Sequence, residues 1–208
     1  MKMQPFVVGV GGTLRASSSS ETALRIALEA AGAAGARTEL FGAAYLAELP
    51  MYDPDRPAGA SGLRLVEALR AADGVILSSP GYHGSVSGLV KNALDYAEEL
   101  RDDARPYLTG RAVGCVSTAH GWQAAVTTLQ ALRTIVHALR GWPTPLGAAI
   151  NAAESGLGPG RSPDERVLSQ LRTVGMEVCG SGRFPRPRGV RGAQQNAASD
   201  PDTVLGIL

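Results

Sequence analysis

Short apolar runs bounded by glycine alternate five times with stretches of helical periodicity, and that alternation leaves few folds open. Residues 6–10, 38–41, 74–78, 112–117 and 145–150 read as strands; residues 20–34, 63–71, 89–100, 124–139 and 167–178 read as helices. A strand such as Phe6-Val7-Val8-Gly9-Val10, with no polar face, has to be buried on both sides. A helix between two such strands carries the chain back across the sheet. The pattern predicts a three-layer α/β domain, with a five-stranded parallel sheet in the order 2-1-3-4-5. Pro80 is expected to end the third strand. Residues 1–180 make up this domain. Residues 181–208, with several arginines and prolines and little apolar periodicity, form a tail that is mobile or packed on a partner subunit.

The length of 208 residues suits one such domain, and 44% hydrophobic residues suffice for its core. A formal net charge of +1 supplies no field to draw nucleic acid or an anionic membrane. No aromatic-basic interleaving points to nucleic acid either. Cys115 and Cys179 are too few for a disulfide framework, and Cys115 sits in an apolar run as a buried thiol would. Met1 to Pro5 lead into a strand rather than a secretory signal, so the chain reads as cytoplasmic. His83, His120 and His137 lack metal-ligand spacing, and no metal is expected. A Gly-x-Ser-x-Gly elbow is missing, since Gly84 and Gly88 flank Val86.

In a parallel sheet, ligands bind beyond the carboxyl ends of the strands. Three loops there have unusual compositions. After the first strand, residues 11–20 pack two glycines, Thr13, Arg15 and four serines before a helix. A helix start offers unpaired N–H groups and a dipole that favours an anion. Hydroxyls of Thr13, Ser18 and Ser20 and the forked guanidinium of Arg15 add donors suited to phosphate. The loop lacks the Gly-Lys-Ser/Thr of a Walker loop, and Leu14 stands where a dinucleotide fingerprint needs its third glycine. A terminal phosphate is the remaining reading; the plain alternative is a serine-rich helix cap.

After the third strand, Ser79-Pro80-Gly81-Tyr82-His83-Gly84-Ser85 leads into Gly88-Leu89-Val90-Lys91-Asn92-Ala93-Leu94-Asp95. Glycines let backbone approach a flat ring, Tyr82 and His83 can stack or meet its edge, and N–H groups near Gly84 and Ser85 can bond that edge. After the fourth strand comes Ser117-Thr118-Ala119-His120-Gly121-Trp122. His120 can bind a carboxylate or move a proton, or can simply be a surface histidine at a helix start.

These stretches resemble the NAD(P)H-dependent FMN reductase family, whose relatives include quinone, azo-dye and chromate reductases. Residues 80–95 are similar to its flavin-ring signature, residues 13–20 to its phosphate loop, and Leu49-Pro50-Met51-Tyr52-Asp53 to a third short pattern. The resemblance spans about residues 5–150 and implies a flavodoxin-like fold. It implies FMN as cofactor and NADPH or NADH as reductant. Thr13, Arg15, Ser18 and Ser20 are then expected on the FMN phosphate. Pro80, Gly81, Tyr82, His83, Gly84 and Ser85 are expected around the ring, with Ser117, His120 and Gly121 beside it. The family usually has adjacent glycines in that last loop, so His120 is a departure. Lys91 and Asp95, four apart on a helix, read as an ion pair.

The resemblance implies hydride transfer from the nicotinamide to FMN, then electron transfer to a small-molecule acceptor: free flavin, a quinone, or a partner monooxygenase. The chemistry belongs to the flavin, so no catalytic triad is needed. It also implies a homodimer or homotetramer. Two alternatives stay open. One is an FMN-dependent oxidoreductase of a single biosynthetic metabolite, motivated by His120 and the tail. The other is a flavodoxin-like electron carrier, which the near-neutral charge and the Arg15 loop oppose.

Overall fold

A computed structural model describes residues 4–15, 18–158 and 160–180. The expected tail over 181–208 lies outside the described residues. In chain order the elements are β1 (Phe6–Gly11), α1 (Ser19–Ala33), β2 (Arg37–Phe41), α2 (Ala43–Ala47), α3 (Ala60–Ala71), β3 (Gly74–Tyr82) and β4 (Ser85–Val86). There follow α4 (Gly88–Asp95), β5 (Ala112–Ala119), α5 (Trp122–Ala138), β6 (Trp142–Pro143), β7 (Ala148–Asn151) and α6 (Glu165–Gly180).

The sheet is parallel in its main body, as expected, but among the described residues has seven strands rather than five, in the order β2-β1-β3-β5-β6 with β4 and β7 paired off that path. The fifth position is split. β6 pairs with Ala112 and Val113 of β5, and β7 pairs with its Val116 to Ala119. Pro143 and Pro145 have no N–H to give a ladder, which explains a break between them and β7. The other added strand, β4, turns back antiparallel on the end of β3.

Side chains of the central strands alternate between two cores, which sets the register. Val8, Val10, Val75, Leu77, Val113 and Cys115 pack with α3, α4 and α5; Val7, Ile76 and Val116 pack with α1 and α6. A one-residue slip would send each set to the wrong layer. Burying each Val, Leu or Ile contributes roughly 1.5–3 kcal/mol, so both layers hold the sheet. Space is tight between α1 and α6. A Cβ on Gly175 would lie 2.1 Å from the Ala27 carbonyl oxygen, so α6 comes this close only because it carries glycine there.

Two local expectations are corrected, and one short helix is added. β3 does not stop at Pro80 but runs to Tyr82. Gly12 N donates to Ser78 O, so strand alternation turns the Pro80 nitrogen to that same side, beyond the end of β1. No neighbouring strand there needs its missing N–H. The helix expected over 89–100 is α4 followed by a 3₁₀ turn at Tyr96–Leu100. Its tighter spacing brings Ala97 and Leu100, three apart, into the core. Finally α2, too short to show periodicity, is started by Glu21, whose Oε2 accepts from Ala43 N at 2.9 Å. No helix among the described residues is long and apolar enough to cross a membrane.

Candidate functional site

The α1 start is organised by one hydroxyl. Ser18 caps the helix: its Oγ accepts from Glu21 N at 3.1 Å and also from Thr13 N at 3.1 Å. Those two bonds occupy both acceptor positions of the oxygen. Its proton is therefore directed at Ser20 Oγ, 3.0 Å away. Ser18 thus folds the loop back on the helix, while the Ser20 hydroxyl keeps its own proton to donate. Thr13 Oγ1 accepts from Arg15 N at 3.2 Å, which leaves the Thr13 proton available as well. The acid of the first turn is turned away: Glu21 Oε1 pairs with Arg25 at 2.6 Å and Oε2 serves α2.

Across the cleft the end of β3 is a two-residue hairpin. Tyr82 pairs with Ser85, and the turn residues His83 and Gly84 have φ of 53° and 82°. Two positive φ values define a type I′ turn, whose twist suits a hairpin and which favours glycine second. Histidine tolerates the left-handed region better than branched residues do. The hairpin is pinned from beneath. Ser79 Oγ accepts from Ser87 N at 3.0 Å, Ser87 caps α4, and Thr128 Oγ1 donates to Ser85 O at 3.3 Å.

Between these walls lies a cavity of about 790 Å³, within the usual range for a cofactor-sized ligand. Thr13, Arg15, Ser18, Ser20, Pro80, Gly81, Tyr82 and His120 line it together, from three separate loops. His83, Gly84 and Ser85 are exposed on the hairpin and are not in the lining. Neither is Ser117, which is fully buried and donates to Ala125 O at 2.6 Å, tying β5 to α5. Gly121 caps α5 from just outside the lining.

The sequence reading missed part of the wall. Thr118 and Ala119 end β5, and Ala152, Ala153, Gly158 and Arg161 come from the loop after β7. A signal was there. Every parallel strand ends on the same edge, so the glycine-rich stretch over 152–160 belonged with the other three loops. Among the described residues the lining holds two arginines and no carboxylate. With the α1 start and free hydroxyls opening on it, such a cavity is suited to an organic anion with an apolar body.

The signature helix also has a structural part. Lys91 and Asp95 form the expected surface ion pair. Asn92, nearly buried, accepts from Tyr52 N at 2.8 Å and donates to Pro50 O at 2.9 Å, clamping the Pro50–Tyr52 loop to α4.

Comparison with known proteins agrees with this architecture. A family model described as NADPH-dependent FMN reductase matches residues 5–155. The chain is 31% identical over 179 residues to an NAD(P)H-dependent FMN reductase of Pseudomonas aeruginosa, covering 80% of this chain and 89% of that protein. It is 37% identical over 91 residues to an FMN-dependent NADPH-azoreductase of Staphylococcus aureus, covering 43% of this chain and 44% of that protein. In fold it is similar to FerB, a flavoenzyme NAD(P)H:(acceptor) oxidoreductase from Paracoccus denitrificans. The TM-score is 0.69 at 23% identity, over 86% of this chain and 98% of that one. With most of its length matched, and with a cavity suited to an anion at the carboxyl edge of its sheet, the chain belongs to the NADPH-dependent FMN reductase family.

Proposed function

We propose that the chain is an NAD(P)H-dependent flavin reductase that holds FMN in the 790 Å³ cavity, phosphate at the start of α1 and ring toward Pro80, Gly81 and Tyr82. The observation that carries this is the lining itself: Arg15, a proton-bearing Ser20 hydroxyl and a helix start on one wall, with no carboxylate among the described residues to repel phosphate. Thr13, Arg15 and Ser20 bind the phosphate directly, and Ser18 shapes the loop. Backbone of Pro80 and Gly81 lies against the ring, and the side chain of Tyr82 flanks it. The His83-Gly84 hairpin with Ser85, and Ser117 with Gly121, fix where the walls stand. When bound, FMN supplies the redox chemistry, accepting hydride from the nicotinamide and passing electrons on. Anaerobic titration tests the reading. Added FMN binds with a change in fluorescence, and NADPH or NADH then bleaches the flavin band. Absence of binding or of bleaching overturns it.

The acceptor is a small molecule such as free flavin or a quinone, with a partner monooxygenase as the alternative recipient. Transfer from this protein to an added acceptor, measured against each class, separates them. His120 on the cavity wall favours a second reading, in which one particular metabolite is the substrate. Slow nicotinamide oxidation beside fast turnover of that metabolite would favour it over the first. A homo-oligomer is supported by exposed Leu14 and Tyr82, which border a hollow of about 340 Å³ beside the cavity, and by exposed Trp122 and Val126 on α5. Sedimentation velocity reads its size. The reaction is assigned to the cytoplasm, where both cysteines can stay free thiols.

A further inference from the structure

From its place on the cavity wall, we infer that Arg161 is a second phosphate-binding arginine, reaching the cofactor from the loop after β7; this rests on the reading of the cavity as an FMN site.

The loop that carries Arg161 is built rather than loose. Ser155 and Leu157 are buried, and Leu157 joins the core shared by α1 and α6. Ser155 accepts twice: its carbonyl oxygen from Asp164 N at 3.0 Å and its Oγ from Leu157 N at 3.3 Å. Gly156 has φ of 68°, and a Cβ there would lie 2.1 Å from Ser162 O, so the chain can double back only with glycine. Arg161 N then donates to Gly158 O at 3.3 Å. These bonds hold both ends of the loop and set Arg161 on the wall shared with Ser18, Ser19 and Ser20. Close packing of α6 on α1 at Gly175 keeps the two chain segments adjacent.

The guanidinium is free to bind. Nη1 donates to Ala153 O at 3.3 Å, and no carboxylate pairs with Arg161 among the described residues. One of five donors is used. Charge balance asks for a second cation. A phosphate monoester carries about −1.5 to −2 at neutral pH. A helix start offsets roughly 0.5 of that and Arg15 one more, leaving up to about half a charge uncompensated. Arg161 supplies it from a different element, so the two guanidinium groups can bracket the anion.

The test compares FMN with riboflavin, which has the same ring and no phosphate, by fluorescence titration of the full chain and its variants. For Arg161→Gln, FMN affinity falls roughly 10- to 100-fold, the range for a lost charged hydrogen bond, and riboflavin affinity stays within about twofold. Arg161→Lys recovers part of the loss, and rising salt weakens FMN binding less in Arg161→Gln than in the parent. Equal FMN affinity in parent and Arg161→Gln overturns the inference, as does equal weakening of both flavins. So does an unchanged FMN affinity with a raised NADPH KM, which would move Arg161 to the nicotinamide cofactor. Arg15→Gln separates the two levels. If it lowers FMN affinity and Arg161→Gln does not, only this inference fails. If the parent binds FMN no better than riboflavin, the phosphate reading itself fails.

Discussion

Ser78 Oγ donates a 2.8 Å hydrogen bond to the carbonyl oxygen of Ser20, fifty-eight residues earlier, and both side chains are buried. The bond ties the middle of β3 to the first turn of α1. It therefore couples the two walls of the cavity, the phosphate loop and the strand that carries Pro80, Gly81 and Tyr82.

Removing that tie should loosen the cavity without dismantling the fold. Ser78→Ala is expected to cost about 1 kcal/mol of stability, the usual net worth of one hydrogen bond. FMN affinity should fall severalfold as the walls drift apart. Urea unfolding and fluorescence titration give the two numbers, and unchanged values for both would show the walls to be independent.

Ser18 and Ser20 should separate cleanly. Ser18→Ala removes a helix cap and the Thr13 clamp together, for a stability loss of about 1–2 kcal/mol. Ser20→Ala leaves stability within about 1 kcal/mol but lowers FMN affinity about tenfold with riboflavin affinity kept. Melting curves beside titrations of both flavins decide it; a larger stability loss in Ser20→Ala would reverse the roles assigned.

The hairpin at His83 makes a conformational prediction. His83→Asn keeps the type I′ turn and the protein's stability. His83→Val places a branched side chain at positive φ and costs on the order of 1–3 kcal/mol. Equal melting temperatures for the two variants would contradict the turn geometry.

At the far end of β5, Arg111 is buried and charged, and among the described residues no carboxylate hydrogen-bonds its guanidinium. Nε donates to Ala72 O at 3.1 Å, Nη2 to Arg70 O at 2.9 Å and Nη1 to Tyr107 O at 2.9 Å. Arg70 and Ala72 end α3, whose dipole favours a cation there. Burial pushes the guanidinium down to about 10, so it remains protonated at neutral pH. Arg111→Met strips three carbonyls of a donor and should cost on the order of 3 kcal/mol or more, at about 1 kcal/mol or more for each acceptor left unpaired. Arg111→Lys should recover only part, since an ammonium cannot span the same fork. Refolded protein should bind FMN as the parent does, because the site is at the other edge of the sheet.

Cys115 should govern reactivity and contribute to alkaline stability. Burial pushes its thiol up to about 12 from an ordinary 9.0. Below pH 9 the contribution of the buried neutral thiol is fully present; it is lost as pH rises from there toward 12, because the unfolded chain gives up its proton first. Native protein at pH 8 should show one fast-reacting thiol, the partly exposed Cys179, and two after denaturation. Cys115→Ala should flatten the stability loss above pH 9 as followed by urea unfolding at stepped pH.

By itself the sequence determined the layered fold and most of the cavity. Glycine-bounded apolar runs alternating five times with helical stretches read as strands buried on both faces, and the Ser79–Asp95 stretch named the wall that would face a ring. Helix capping and phosphate chemistry were legible at Arg15 and the serines because they depend on neighbours a few residues away. Tertiary structure decided the rest, where the partners are remote in sequence. Pairing across the sheet let β3 run past Pro80 and split the last strand. The lone-pair count at Ser18, which needs Thr13, Glu21 and Ser20 in place together, makes that serine the clasp of the loop. Arg161 is set on the cavity wall by bonds within the loop after β7, such as Asp164 N to Ser155 O, and by the packing of that loop's Leu157 between α1 and α6, an arrangement that no local pattern encodes.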